Sequence, residues 1–341
     1  MNRSLSAAIV LALCTAAPVL AQRPVHTFSR PVHTYSIVAR DPETGQLGVA
    51  VQSHWFSVGP IVPWAEAGVG AVATQSFADP AYGPLALELL RAGKTAQQAL
   101  AALLAADPHP EVRQVAIIDA AGNVAVHTGE RSIEAAGHRT GPNYSVQANL
   151  MLKPTVPDAM ARAFENAKGD LAERLLAALE AAQAEGGDIR GVQSAAIVVV
   201  SGKPTGRPWE DRIFDLRVED HPEPLKELRR LVHLARAYQH MNAGDAAVAE
   251  GDIERALREY ATAESMVPDE ATNGEMVFWH AVMLANLGRV DEALPLFRRA
   301  FAQDPNWIEL VRRLPKAGQF PDDPALIERI VSAGTTAVRS R

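Results

Sequence analysis

Thr34 heads the run Thr34-Tyr35-Ser36-Ile37-Val38-Ala39-Arg40-Asp41, a hydrophobic segment that reads as a strand opened by a hydroxyl nucleophile. A chain beginning there carries the attacking hydroxyl and a free α-amine on one residue. An amine with a pKa of about 7.7–8.0 can accept that hydroxyl's proton. Behind His33 the nitrogen of Thr34 is an amide and no base, so this chemistry requires a cut between His33 and Thr34. Acyl transfer also needs donors for the developing oxyanion, each worth about 10²–10³ in rate, and a polar group to orient the amine. Polar side chains fall at expected strand ends: Ser53 and His54, then Gln75, Ser76 and Asp79, then Gln147 and Asn149. Thr34, Asn149, Gln75, Ser53 and Asp79 form the candidate catalytic set. His54, Trp55, Ser76 and Gln147 form the candidate substrate-binding set.

Each of these has a plainer reading. The cluster from Thr74 to Asp79 suits a loop and a helix cap ahead of Pro80. Trp55 and Phe56 suit a core, Arg40-Asp41 a solvated turn, and His127 a structural strand end. Other chemistries fail. Gly68-Val69-Gly70-Ala71-Val72-Ala73 mimics a dinucleotide fingerprint but leads into strand-like sequence, with no suitably spaced acid after it. The ten histidines show no metal spacing, and no Gly-x-Ser-x-Gly elbow surrounds a serine. No cofactor or metal is expected. Ser53, Ser76 and Ser194 stay open as internal nucleophiles.

Three segments carry a resemblance: TYSIVARDPETGQLGVAVQS at 34–53, GVGAVATQSFADPAYGP at 68–84 and YSVQANLM at 144–151. Together they resemble the domain of unknown function 1028 family, whose members are placed among the N-terminal nucleophile hydrolases. The resemblance spans roughly residues 34 to 217 and implies a four-layer helix-sheet-sheet-helix sandwich. It also implies a Met-Thr start in leaderless relatives, and self-cleavage by the same hydroxyl as a route to a free Thr34. Asn149 is uncharged and lies in a shared motif, which makes it the side-chain oxyanion donor on this reading.

Ahead of Thr34, Arg3, the apolar stretch Ala7 to Leu20 and Val19-Leu20-Ala21 before Gln22 read as a secretory signal over 1–21, with cleavage after Ala21. About 14 apolar residues fall short of the roughly 20 that span a bilayer. Residues 22–33 form an extension open to removal, in which Arg23-Pro24-Val25-His26 recurs as Arg30-Pro31-Val32-His33. The single cysteine, Cys14, lies in the leader, so the mature chain has no disulfide or cysteine nucleophile. Losing the leader leaves 32 basic against 40 acidic residues, with no basic stripe for nucleic acid. The expected location is periplasmic or secreted, with no transmembrane segment in the mature chain.

Between 34 and 220 strand-like and helix-like segments alternate. Two hairpins are expected, around the turns at 41–45 and 120–123, with helices over 84–90, 95–105, 156–166 and 170–184 and a buried strand over 195–200. Antiparallel sheets covered by helices follow, an α+β class that fits the α-β-β-α sandwich of the resemblance. After His221-Pro222-Glu223-Pro224 the pattern is wholly helical over 225–320, with a tail at 321–341. Gly251, Ala256, Tyr260, Ala263 and Pro268 recur 37 positions later as Gly288, Ala293, Phe297, Ala300 and Pro305. Units at 237–270 and 274–307 look like tetratricopeptide repeats, although the usual early tryptophan is missing from both. The helix from about Leu225 to Tyr238 and the segment Trp307 to Leu314 are expected to cap them.

The sequence thus points to an exported hydrolase of an amide C–N bond in a small-molecule substrate, with helical repeats for a protein partner or self-association. A catalytically silent scaffold acting through the repeats and a serine hydrolase with an internal nucleophile are the alternatives.

Overall fold

The structure is a computed structural model that describes Val32 and residues 34–338. The expected signal peptide at 1–21, nearly all of the 22–33 extension and the last residues of the tail lie outside the described residues.

Strand β1 (Thr34–Arg40) turns into β2 (Leu47–Ser53) through a loop in which Asp41 Oδ1 accepts the N–H groups of Glu43 and Thr44, both at 2.9 Å, and Gly45 takes φ 74°. An Asp at the start of a turn and a residue free to adopt positive φ at its end are what such a tight return requires. Next come β3 (Pro63–Glu66), β4 (Gly70–Ser76), α1 (Tyr82–Arg91) and α2 (Ala96–Ala106). Thr95 and Gln98 form a reciprocal capping box at the start of α2. The chain continues through β5 (Arg113–Asp119), β6 (Val124–Thr128), β7 (Gly137–Gly141), β8 (Tyr144–Ala148), α3 (Val156–Asn166), α4 (Leu171–Ala184), β9 (Ser194–Val200) and β10 (Arg212–Val218).

Two antiparallel sheets result: six strands in the order β10-β9-β2-β1-β8-β7, and four in the order β3-β4-β5-β6. Alternation along the strands assigns the faces. Tyr35, Ile37, Ala50, Val146, Ile197 and Val199 cluster with Met160, Phe164, Leu175 and Leu179 of α3 and α4. The opposite face of the same sheet sends Val38, Val49, Val51 and Val198 into a cluster with Ala71, Ala73, Ala116 and Ile118 of the four-stranded sheet. Val72, Val115 and Ile117 on that sheet's other face pack with Tyr82, Leu87, Leu90 and Leu100.

Helix α5 (Pro224–Glu250) departs from the expected division at residue 237. It runs unbroken for 27 residues, because no proline interrupts it and Gly244 is needed inside it, where an added Cβ would meet the Tyr260 ring at 2.8 Å. Its first half places Leu225, Leu228 and Val232 in the cluster of the six-stranded sheet, and its second half places Ala237, Met241 and Ala247 in the helical core. Arg229 reinforces the join with ion pairs to Glu180 (2.6 Å) and Glu173 (2.7 Å) of α4. A boundary at residue 222 would therefore strip three buried side chains from the sheet region.

Beyond it lie α6 (Ile253–Met266), α7 (Glu275–Asn286), α8 (Val290–Gln303), α9 (Asn306–Arg313) and α10 (Pro324–Val338). Residues 37 apart play matching parts. Tyr260 and Phe297 are both buried at the centre of the second helix of a pair, while Gly251 and Gly288 take φ 79° and 77° where the first helix stops. No described helix is long and apolar enough to cross a membrane.

Candidate active site

Thr34 begins β1, an interior strand of the six-stranded sheet, opposite Ser53 of β2. Its backbone carbonyl is held by three donors: the Asn149 N–H at 3.1 Å, Gln75 Nε2 at 3.2 Å and Asn149 Nδ2 at 3.4 Å. Behind them stands Gln114, whose Oε1 accepts from Gln75 Nε2 at 2.7 Å and from Asn149 Nδ2 at 2.8 Å. The Gln114 amide nitrogen donates in turn to Thr128 Oγ1 and the Ala148 carbonyl, both at 2.9 Å. A second arm runs from Ser145 Oγ to Gln147 Oε1, from Gln147 Nε2 to Ser36 Oγ, and from Ser36 Oγ to Gln75 Oε1.

All seven of Thr34, Ser36, Gln75, Gln114, Ser145, Gln147 and Asn149 are fully buried. Polar groups out of water must be paired, and here the amides of both sheets pair with one another. The network clamps the main chain of Thr34 from one side. The amide groups of Gln75 and Asn149 are directed at the carbonyl of Thr34 rather than at its hydroxyl. In this geometry Asn149 helps to hold the main chain of Thr34 through both its N–H and its side-chain amide.

The Thr34 hydroxyl donates to the carbonyl of Val32 at 3.0 Å. Val32 forms an antiparallel bridge with Ser76, and the Ser76 N–H reaches the same carbonyl at 2.9 Å. Ser76 takes φ 70°, and its own hydroxyl is buried without a partner among the described residues. Clefts of about 530 Å³, beside Tyr238, Met241 and Trp279, and about 670 Å³, beside Trp64, Arg91 and Arg217, both lie away from Thr34.

The other expected residues divide. Gln75, Gln147 and Asn149 join the Thr34 network, Ser76 borders it, and Ser53 adjoins Thr34 through the strand pairing. His54 donates its N–H to the buried Asp188 at 3.3 Å, and its Nδ1 has no partner among the described residues. The carbonyl of Trp55 accepts from Ser194 Oγ. Asp79 stands apart: its Oδ1 accepts the Ala81 N–H at 3.0 Å in the turn ahead of α1, and its carbonyl accepts from Thr74 Oγ1 at 3.1 Å. His127 meets the Pro110 carbonyl, and Arg40-Asp41 close the far end of β1. Sequence reasoning missed Gln114, Ser36 and Ser145. The available signal was a polar residue in phase with inward apolar ones, as in Gln114, Ala116, Ile118 and in Ser36, Val38.

At the outer end of the network Thr128 Oγ1 lies 2.9 Å from His138 Nδ1. A hydroxyl that accepts from Gln114 still has its own proton to give, and a neutral His138 imidazole can take it at Nδ1. Burial, with the charges of Arg139 and His127 added, holds His138 below the ordinary histidine value. The unfolded chain therefore takes up the proton first. Stability present above a pH of about 6.5 is lost as the pH falls below it. The melting temperature of the wild type should drop between about pH 7 and pH 5 more steeply than that of His138→Gln. Parallel curves would assign the slope to other groups.

Residues 34–228 match the Family of unknown function (DUF1028), more than half of the chain and beginning at Thr34 itself. The chain belongs to the DUF1028 family. The crystal structure of protein SPO2555 from Silicibacter pomeroyi, also of DUF1028, is 32% identical with a TM-score of 0.53, covering 58% of this chain and 84% of that one. Anbu, an ancestral beta-subunit from Yersinia bercovieri, aligns at 13% identity and a TM-score of 0.30 over 58% of this chain and 92% of its own, too low to carry an argument. No curated protein matches the chain. Among the described residues of this DUF1028 chain, no group of three or more His, Cys, Asp or Glu side chains converges as a metal site would require.

Proposed function

We propose that this DUF1028 chain is an exported hydrolase of the N-terminal nucleophile type that cleaves an amide C–N bond, working from Thr34 with no cofactor. The observation that carries the proposal is the buried amide network of Gln75, Gln114 and Asn149, which fixes the Thr34 main chain at the head of an interior strand. The start of the family match at Thr34 supports it. On this reading the two sheets with their flanking helices form a four-layer α-β-β-α sandwich. The 37-residue register of the C-terminal helices makes them a tetratricopeptide-like module for a protein partner or self-association.

In the proposed reaction the neutral amine of Thr34 takes the hydroxyl proton as Oγ1 attacks the substrate's carbonyl carbon. The C–N bond then breaks, the leaving amine departs with that proton, and the acyl group stays as an ester on Thr34. Water adds to the ester, giving its proton to the amine, and the acid leaves as Thr34 recovers its hydroxyl proton. A second reading has one observation in its favour: in the uncut chain Thr34 is 0% exposed and its nitrogen is an amide, so that form is a silent scaffold. An internal serine is less well supported. Among the described residues neither Ser76 Oγ nor His54 Nδ1 has a partner, so the two form no hydroxyl–imidazole pair.

Intact mass of the secreted protein, with turnover of a panel of small amides, tests the proposal. The active species should begin at Thr34. A fully active protein beginning at Gln22 would replace Thr34 with an internal nucleophile.

A further inference from the structure

The cleft of about 530 Å³ beside Tyr238, Met241 and Trp279 lies on the helical repeats, away from the Thr34 site. Two helices line most of it. Helix α5 contributes Tyr238, Asn242 and Asp245, and α7 contributes Glu275, Trp279 and Val282, each 37 positions after its counterpart on α5. The same face of both units is thus turned to one groove. Its lining runs from Tyr238 to Val248 on α5 and from Glu275 to Asn286 on α7, so at about 1.5 Å per residue the groove is roughly 15–17 Å long. That length suits a stretch of polypeptide better than a compact molecule. The floor is apolar: Met241, Met276 and Met283 are buried there, and methionine adapts to varied partners. Two carboxylates stand beside it. Asp245 accepts the Tyr260 hydroxyl at 2.5 Å, and Glu275 accepts the Tyr238 hydroxyl at 2.6 Å. Those donors are neutral, and no Lys, Arg or His is among the described residues that line the cleft, so neither negative charge is matched by a cation there. Trp279, partly exposed, adds an aromatic face of the kind on which cations settle.

Resting on the reading of the C-terminal helices as a docking module, we propose that this groove takes a basic segment of a partner protein, in which arginine or lysine sits beside apolar side chains. The stem of such a residue covers the methionines and Trp279 while its charged head meets Asp245 or Glu275. The carboxylates select the head, and the floor holds the stem. An acidic segment would bring like charges together, and a purely apolar one would bury the carboxylates without a partner, so the groove discriminates against both.

The test uses the full-length chain. The probe is a library of peptides about nine residues long, enough to cross the groove fully extended, with Arg, Glu, Leu or Ser at every position. Bound peptides are sequenced, and the strongest is labelled for fluorescence anisotropy. Arg and Leu should be enriched together, and Asp245→Asn combined with Glu275→Gln should weaken the strongest peptide roughly tenfold or more. Asn and Gln keep the acceptors that Tyr260 and Tyr238 use, so the helices should stay packed. Glu130→Gln combined with Glu134→Gln removes two exposed carboxylates outside the repeats, changes the net charge equally and should leave binding as it is. Enrichment of Glu, enrichment of Leu without Arg, unchanged affinity in the Asp245 and Glu275 variant, or equal weakening in the Glu130 and Glu134 variant would each overturn the basic partner. An acidic or apolar peptide whose binding is lost in Trp279→Ala overturns the basic partner and spares the docking module. A chain that enriches no peptide counts against both.

Discussion

Thr34→Ala should lose nearly all amide turnover, a fall on the order of 10⁶, because the hydroxyl and the amine that activates it act as one unit. Removing a single oxyanion donor costs only about 10²–10³, so the two effects are separable by rate alone. Thr34→Ser keeps hydroxyl and amine, drops only a methyl group and should retain far more activity. Both variants should fold, since the Gln75 and Asn149 amides grip the backbone carbonyl of residue 34 rather than its side chain. If the alanine substitution blocks maturation, a chain produced with residue 34 already at its terminus gives the same comparison. Undiminished turnover in Thr34→Ala would falsify the mechanism.

Gln114→Leu should be among the most damaging substitutions to stability, although Gln114 reaches Thr34 only through other side chains. Its amide is shared by Gln75, Asn149, Thr128 and the carbonyls of Gly137 and Ala148. A leucine of similar bulk leaves several of these buried groups unpaired at about 1–3 kcal/mol each, a total of about 3–5 kcal/mol once neighbours relax. In a chain of this size that lowers the melting temperature on the order of 10 °C. Gln114→Glu keeps the acceptor for Gln75 and Asn149, loses the donors to Thr128 and Ala148, and brings a charge into a site without a cation among the partners described. It should be no milder. Thermal melts followed by circular dichroism check both, and a Gln114→Leu protein melting with the wild type would show that the network bears little of the fold.

Local chemistry made part of this legible in advance. The run from Thr34 to Arg40 reads as a strand because it is apolar and β-branched, and Asp41 with Gly45 reads as its turn because those types accept the needed hydrogen bonds and positive φ. Thr95 announces the start of α2, and the 37-residue register announces two matching helix pairs. The continuity of α5 was harder to see. The repeat pattern begins at 237, and nothing local shows that the helix ahead of it runs straight into it.

What the sequence determined by itself was therefore which residues share a face and where elements start and stop, since those follow from hydrogen bonds and side-chain spacing within a few positions. Which face meets which was decided by the tertiary structure. Gln114 lies 39 positions from Gln75, its partner across the β4–β5 pair, and 35 from Asn149, a bond that exists only because β4 and β5 of one sheet stack on β1 and β8 of the other in this register. The same stacking set the Asn149 amide against the Thr34 carbonyl and left Asp79 in the turn ahead of α1. It also seated Val32 against Ser76, 44 positions away, because a buried carbonyl must find a donor and the end of β4 is where one is free.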